Sequence, residues 1–390
     1  MSSSVNPSDS EQLTTTETLK RILRLSERAV SLPLKHSNHR TFVIPLALAL
    51  LDRGYNPKSL SDDLWMKLAN DKDRLEHLSQ LIFPVDGSFH NVSSLSGISP
   101  VDPLTWKDVA TRFQRSIFLD ELHDWTYSFL VDMLIPMKTK GKTPTPSEVS
   151  TVSRNQPPLK TKLIRCDGWF SVVGQVLEKD APSQIIPLST GSGRLQVAHI
   201  MPFSTSKRKP LRNLLSVFAG EDMEELLTGN NINDPSNALL LDAITHEAFD
   251  SFEFGLEFQN KRYFLRLLDA SRPPQQLLWY NDGDEIFFCQ ESQGIANPSA
   301  LFCNIHLAIG HVLHDSGIAG LIDKILQDEE ELNIGNVEGD YWLRVSASYL
   351  QRELRGLQEV DDSAIELDHN TTDSGSEDDR PVTSRHSISA

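Results

Sequence analysis

The spacing of apolar and polar positions predicts that the first third of the chain is mostly helical. Apolar residues recur at helical spacing in residues 17–32, in residues 41–51 and in a long amphipathic stretch at 106–135, as expected of helices that bury one face. A further helix is expected to begin at Ser61, which precedes two acidic residues and an apolar repeat. The pattern predicts a mostly helical region over residues 17–135.

Short strand-like runs replace the helical repeat in the middle of the chain. The helix expected at 236–250 would be capped by Ser236. In chain order, this part is predicted to contain a strand at 171–177, a strand at 194–200, a helix at 211–218, a helix at 236–250 and a hairpin around 260–262.

Composition divides the rest of the chain. Residues 300–330 have helical spacing with a break at Gly317, and the last residues are acidic and rich in Ser and Thr. The predicted organisation is α+β, with disordered residues 1–16, a helical region at 17–135, a Pro- and Ser-rich linker at 136–160, a compact domain at 161–270, a helical extension at 271–356 and an acidic disordered tail at 357–390.

Charge is unevenly distributed, although the 390-residue chain has a net charge of −17. Residues 138–212 hold 13 Lys and Arg against 4 Asp and Glu, whereas residues 359–390 hold 9 acidic residues against 2 Arg. The overall charge argues against the whole chain lying along a polyanion. The basic stretch favours a local contact with phosphates, and a solvated linker is the alternative.

The lack of a targeting signal and the unpaired spacing of the cysteines predict an intracellular protein. The sequence leaves nucleus and cytoplasm both open. No apolar run reaches the roughly 18–20 residues that span a bilayer, so no membrane partner is expected, and the polar N-terminus lacks a secretory pattern. The three cysteines, Cys166, Cys289 and Cys303, show no paired spacing. They are expected to be free thiols.

Three strings in the middle of the chain resemble the HNH endonuclease family. They are RCDGWFSVVG at 165–174, LQVAHIMPFS at 195–204 and NINDPSNALLLDAITHEAFDSFEFGLE at 231–257. More narrowly, they are similar to a divergent fungal-type branch with the pattern AHI-P…NALLL…H…FD. The resemblance implies a ββα-metal nuclease domain, flanked here by helical segments, that hydrolyses phosphodiester bonds.

The resemblance also implies roles for individual residues. His199 matches the general base, Asn237 the asparagine that braces the hairpin, and His246 a metal ligand on the helix. Asp250 follows His246 by four residues, so both would share one helix face and could hold a divalent cation, with Mg²⁺ or Mn²⁺ favoured over Zn²⁺. A neutral imidazole suits the base role at cellular pH.

The expected substrate is a nucleic acid, with DNA favoured. The basic run Lys207, Arg208 and Lys209, just after the second string, is expected to contact its phosphates.

Several alternatives stay open at this point. Asn230, Asn231 and Asn233 compete with Asn237 for the family position, and Asp250 has an alternative role as a cap of the following turn.

Departures from the family pattern keep a second hypothesis open. Ala198 stands where many relatives have an aspartate ligand, and Ser171 stands where relatives have a cysteine, with Cys166 displaced. The second hypothesis is a catalytically degenerate HNH fold that serves as a scaffold for protein partners. The nuclease hypothesis predicts that His199 and His246 face one pocket with Asp250 beside them.

The other histidines are interpreted as structural. His306, His311 and His314 lie on the helix predicted at 300–330, and the spacing between His311 and His314 would suit a metal pair. No third ligand lies near them in the sequence, so a second metal site is not expected.

Overall fold

In the residues that it describes, the computed structural model contains helices and three small β-sheets. The residues that it describes are 16, 17, 19, 20, 23, 24, 43–68, 117–138, 156–174, 176–185, 191–268, 277, 279–288 and 294–323. The predicted acidic tail and residues 1–15 of the predicted disordered start lie outside this set.

The described part of the N-terminal region is helical and comprises α1 (Val43–Arg53), α2 (Pro57–Lys67), α3 (Ile117–Phe129), a π-helical turn (Leu130–Leu134) and α4 (Ile135–Lys138).

Helix α2 begins at Pro57, so the predicted start at Ser61 is wrong. The side chain of Asn56 caps this helix by accepting a hydrogen bond from the backbone N–H of Ser59 at 3.0 Å. Proline is favoured in the first turn because its missing N–H would have no partner there. Ser61 lies inside the helix, and its hydroxyl donates to the carbonyl of Pro57 at 2.7 Å.

The middle of the chain begins with helix α5 (Gln156–Asp167), whose first residues fall in the predicted linker. Strand β1 (Leu177–Glu178) then pairs in parallel with β2 (Ser192–Gly193). The strand predicted at 171–177 is wrong except for its last residue. Gly174 has a φ of +101°, a conformation that glycine adopts readily, and it turns the chain before β1.

Two antiparallel strands form the next unit, with His199 opposite Ala238 in the register. The strand predicted at 194–200 and the helix predicted at 211–218 are confirmed by β3 and α6. In chain order the elements are β3 (Leu195–His199), α6 (Lys209–Ala219), α7 (Glu224–Leu227), β4 (Ala238–Asp242) and helix α8 (Ala243–Asp250), which directly follows β4.

The helix predicted at 236–250 is wrong in its first half. All five residues of β4 are buried, as expected of an apolar run between two layers. Asp242, not Ser236, caps α8, because its side chain accepts hydrogen bonds from the N–H groups of Ile244 at 3.1 Å and Thr245 at 3.2 Å.

The predicted hairpin is confirmed by β5 (Phe254–Gln259) and β6 (Arg262–Leu267), which β7 (Glu285–Ile286) extends. Helix α9 (Ala300–Asp315) packs on β5. A Cβ at Gly255 would lie 3.0 Å from the side chain of Leu307, so glycine permits this close approach. The predicted break is confirmed at Gly317, whose φ is +73°.

One large hydrophobic core joins the described helices of both ends to the middle of the chain. It includes Leu50 of α1, Trp125 of α3, Phe249 of α8 and Ile309 of α9. A second, smaller cluster lies between α5 and the β3–β4 pair. The fold is α+β, as predicted. Among the described residues, no helix has the length and apolar character needed to cross a membrane.

Candidate active site

A cavity of about 220 Å³ brings three of the predicted site residues together. His199 from β3 and both His246 and Asp250 from α8 line it. The remaining lining residues are mainly apolar and come from several elements, among them Met137, Phe203, Phe252 and His306. The cavity therefore combines three imidazoles and a carboxylate with several apolar side chains.

His199 is the last residue of β3, and the pairing of β3 with β4 sets its position. Its Nε2 lies 3.3 Å from Oδ1 of Asn233, within a short 3₁₀-helical segment, Gly229–Asn233. An amide oxygen accepts a hydrogen bond, so this contact places the imidazole proton on Nε2. Asn233 was an open alternative for the family asparagine, and in the structure it contacts the predicted base.

His246 and Asp250 lie one helical turn apart on α8. Nε2 of His246 is 3.3 Å from Oδ2 of Asp250. On the other side of the ring, Nδ1 is 2.8 Å from Oε1 of Gln196 on β3. A histidine that donates from one ring nitrogen to an oxygen presents the other nitrogen as an acceptor. The carboxylate and the ring nitrogen therefore face the same point.

Asn237 lies just before β4 and is fully buried, and it does not line the cavity. Its Oδ1 accepts from the N–H of Met201 at 2.8 Å. Its Nδ2 donates to the carbonyls of Met201 at 3.1 Å and Ile232 at 3.0 Å. These bonds connect the segment that follows β3 to the segment that precedes β4. Asn237 therefore positions the two strands.

The basic residues Lys207, Arg208 and Lys209 interact with different neighbours. Nζ of Lys207 lies 5.8 Å from the centre of the Phe203 ring, which itself lines the cavity. Burial raises the pKa of Asp132, and the charge of Arg208 opposes this shift. Hydrogen bonding from Arg212 lowers the pKa of Glu224, with Lys209 adding to the effect. Lys207 therefore lies against a residue of the cavity wall.

The departure at Ser171 has a structural explanation. The hydroxyl of Ser171 accepts from the N–H of Asp242 at 3.2 Å and lies 3.3 Å from the Asp242 carboxylate. Thr245 donates to the same carboxylate at 2.6 Å. Gly174 lies directly against it, since a Cβ there would be 2.6 Å from Oδ2 of Asp242. The 171–174 turn therefore supports the cap that starts α8.

His306 is the cavity residue that sequence reasoning assigned to a purely structural role. It comes from α9 and is 3% exposed. Its ring is stacked on Phe249 and on Phe252, with centroids 4.0 Å and 4.4 Å apart. Burial lowers the pKa of His306 to about 3, so the ring is neutral at cellular pH. Nothing in the local sequence distinguishes it from His311 or His314.

The donor atoms of the cavity fit a cation that binds few protein ligands better than a cation enclosed by protein ligands. No group of three His, Cys, Asp or Glu side chains within the described ranges is arranged to hold a metal ion. A site closed by three or four protein ligands, as zinc prefers, is therefore not formed by these residues. One imidazole and one carboxylate fit a divalent cation such as Mg²⁺, which keeps several waters and takes substrate oxygens as ligands.

One comparison with known proteins gives a match in the middle of the chain. The family model described as HNH endonuclease matches residues 177–257. This segment runs from β1 into β5, and it contains His199, Asn233, Asn237, His246 and Asp250. Neither a curated protein nor a solved structure matches the chain.

Proposed function

We propose that the segment matched by the HNH endonuclease family model, residues 177–257, hydrolyses phosphodiester bonds of DNA with a divalent cation. The shared cavity carries this proposal, because it joins His199 to His246 and Asp250. In this proposal β3, β4 and α8 form the ββα-metal unit. The flanking helices complete the wall of its cavity.

His199 is the proposed general base. Its hydrogen bond to Asn233 at 3.3 Å keeps a proton on Nε2, which makes Nδ1 the nitrogen that takes a proton from water. The oxygen of that water forms a bond to phosphorus while the bond from phosphorus to the 3′ oxygen breaks, and the leaving oxygen receives a proton from solvent. A neutral imidazole suits this step because its unperturbed pKa is about 6.5.

His246 and Asp250 are the proposed ligands. Gln196 holds the His246 ring through Nδ1 at 2.8 Å, which directs Nε2 toward Asp250. When bound, a divalent cation would stabilise the negative charge that develops on the phosphate and the leaving oxygen.

Substrate contact is proposed for Lys207, Arg208 and Lys209, which lie at the end of the 3₁₀ segment Phe203–Lys207 and the start of α6. Lys207 lies close to the cavity wall through Phe203. A duplex presents phosphates on a regular path, so adjacent cations could follow it. Asn237 is proposed to act only through the position of the two strands.

The experiment is a nicking assay with supercoiled plasmid DNA and the full chain, in Mg²⁺ or Mn²⁺. The unmodified protein is expected to nick the plasmid, and excess chelator is expected to stop it. His199→Ala is expected to lower the rate roughly 10²–10⁴-fold, the usual contribution of a general base. His123→Ala serves as the matched control, because His123 lies on α3 and does not line the cavity.

The two hypotheses give opposite results. If the folded protein leaves plasmid DNA and RNA whole in both metals, the nuclease proposal is wrong and the scaffold alternative gains support. Nicking that survives both the chelator and His199→Ala would point to a contaminant. Parallel assays with single-stranded RNA and duplex DNA decide whether DNA is the substrate.

A further inference from the structure

Gln196 of β3 contacts the predicted ligand His246 from outside the cavity. Its Oε1 lies 2.8 Å from Nδ1 of His246, and Gln196 itself is exposed and does not line the cavity. The His246 ring lines the cavity, and its Nε2 lies 3.3 Å from Oδ2 of Asp250. The amide therefore contacts the ring nitrogen that does not face Asp250.

The pairing of the two strands fixes the backbone on which this contact is built. Gln196 is opposite Leu241 in the antiparallel register of β3 and β4. Helix α8, which carries His246, follows β4 directly and packs on both strands. Gln196 also lies three residues before His199 on β3. One strand therefore carries the predicted base and the side chain that contacts the predicted ligand.

The packing of α8 does not by itself decide how the His246 ring is turned. Rotation of a histidine ring about its last side-chain torsion is broad and roughly twofold, so the ring can present either a nitrogen or a carbon beside Asp250. A hydrogen bond from Nδ1–H to the Gln196 oxygen fixes one orientation and leaves Nε2 with its lone pair. The contact with Gln196 therefore selects the nitrogen that faces Asp250.

The acceptor at this position is a neutral amide, and its chemistry affects how strongly Nε2 can bind a cation. A partner of the second ring nitrogen raises the basicity of a ligand histidine, and loss of that partner usually weakens cation binding about 10–100-fold. Hydrogen bonds to an ionised group are roughly twice as strong as those between neutral groups. An amide therefore orients the ring but raises its basicity less than a carboxylate would.

The exposed position of Gln196 separates this role from folding. Water competes for an exposed hydrogen bond, so the contact contributes little to the free energy of unfolding. Substitutions at surface positions of this kind usually leave that free energy almost unchanged. An effect of Gln196 on cation binding can therefore be measured in variants that keep the fold.

We infer that Gln196 is a positioning residue of the candidate centre, which directs Nε2 of His246 toward a divalent cation and, as a neutral amide, holds the affinity for that cation below the affinity that a carboxylate would give. This inference rests on the proposed function. It adds to that function a residue outside the cavity that sets how tightly the cation is bound.

The test measures the Mn²⁺ affinity of the full chain at neutral pH by calorimetry, with urea unfolding recorded for each variant. Gln196→Leu removes the acceptor without adding a charge, and Gln196→Glu keeps an acceptor and makes it ionised. Gln259→Leu is the matched control, because Gln259 is also exposed, ends β5 and does not line the cavity. Arg194→Gln controls for charge, because it changes the net charge as Gln196→Glu does, at an exposed residue two positions earlier.

We expect Gln196→Leu to weaken Mn²⁺ binding about tenfold and Gln196→Glu to tighten it about threefold. Gln259→Leu and Arg194→Gln should stay within about twofold of the unmodified chain, since salt screens an exposed charge that does not touch a ligand. A merely structural role predicts weaker binding and lower stability in both Gln196 variants, and it gives no reason for tighter binding in either.

Equal Mn²⁺ affinity of Gln196→Leu and the unmodified chain overturns the inference while the proposed function stands. Tighter binding in Gln196→Glu that Arg194→Gln reproduces also overturns it, because the change in charge alone would then explain the gain. No Mn²⁺ binding by the unmodified, folded chain overturns the proposed function and the inference with it.

Discussion

Replacing Asn237 by alanine is expected to destabilise the fold without changing any side chain of the cavity wall. Asn237 has no exposed surface. Its amide joins the segment after β3 to the segment before β4, through Met201 and Ile232. Alanine keeps the backbone bond between the carbonyl of Asn237 and the N–H of Ile200 at 3.0 Å and removes only the amide.

The magnitude follows from the groups that lose a partner. Three hydrogen bonds disappear, and the N–H of Met201 and the carbonyls of Met201 and Ile232 each lose a bond. A buried polar group without a partner costs about 1–3 kcal/mol. Because water entering the space left by the amide would offset part of this, we expect a total loss of about 3–5 kcal/mol in the free energy of unfolding.

The assay is urea unfolding followed by circular dichroism, with the slope compared between proteins to check that the transition is unchanged. Asn237→Asp should lose at least as much stability, because its second oxygen would face two carbonyls. Asn231→Ala is the control, since Asn231 is exposed and donates only to the carbonyl of Glu225. It should change stability by less than about 0.5 kcal/mol. A loss below about 1 kcal/mol for Asn237→Ala would refute the reasoning.

Three further predictions concern α8 and its surroundings. Asp242→Ala should lower the free energy of unfolding by about 2 kcal/mol or more, because the helix loses its cap and Ser171 loses a partner; equal stability in urea would contradict this. Gly174→Ala should destabilise by at least about 1–3 kcal/mol, because φ is +101° and the new Cβ meets the Asp242 carboxylate; an unchanged melting temperature would show that the turn relaxes. The folded-state pKa of His306 is about 3, below its unfolded value, so only the unfolded chain takes up this proton as the pH falls from about 6.5 toward 3. Stability should therefore fall with pH, by up to about 1.4 kcal/mol per unit from this group, and His306→Phe should show a shallower fall in urea unfolding between pH 6 and 4.

The elements that the sequence predicted correctly have short-range patterns. The hairpin is visible because buried residues alternate with more exposed ones along most of β6, where Tyr263 and Leu265 are buried. The start of α8 was missed because residues 238–241 are all apolar, which fits a buried strand and a buried helix equally well. Pairing with β3 decided in favour of a strand, and Asp242 rather than Ser236 then became the cap.

The sequence by itself determined the residue types of the candidate site, because His199, His246 and Asp250 stand in a recognisable string whose spacing places the last two on one helix face. Only the tertiary structure decided which side chains contact these residues and their neighbours. Gln196 contacts His246 across 50 residues, and His314 contacts Phe252 across 62 residues. Such contacts leave no local pattern, because they depend on how separate helices and strands pack. The roles of Asn233, Asn237 and His306 were therefore set by the fold and not by their neighbours in the chain.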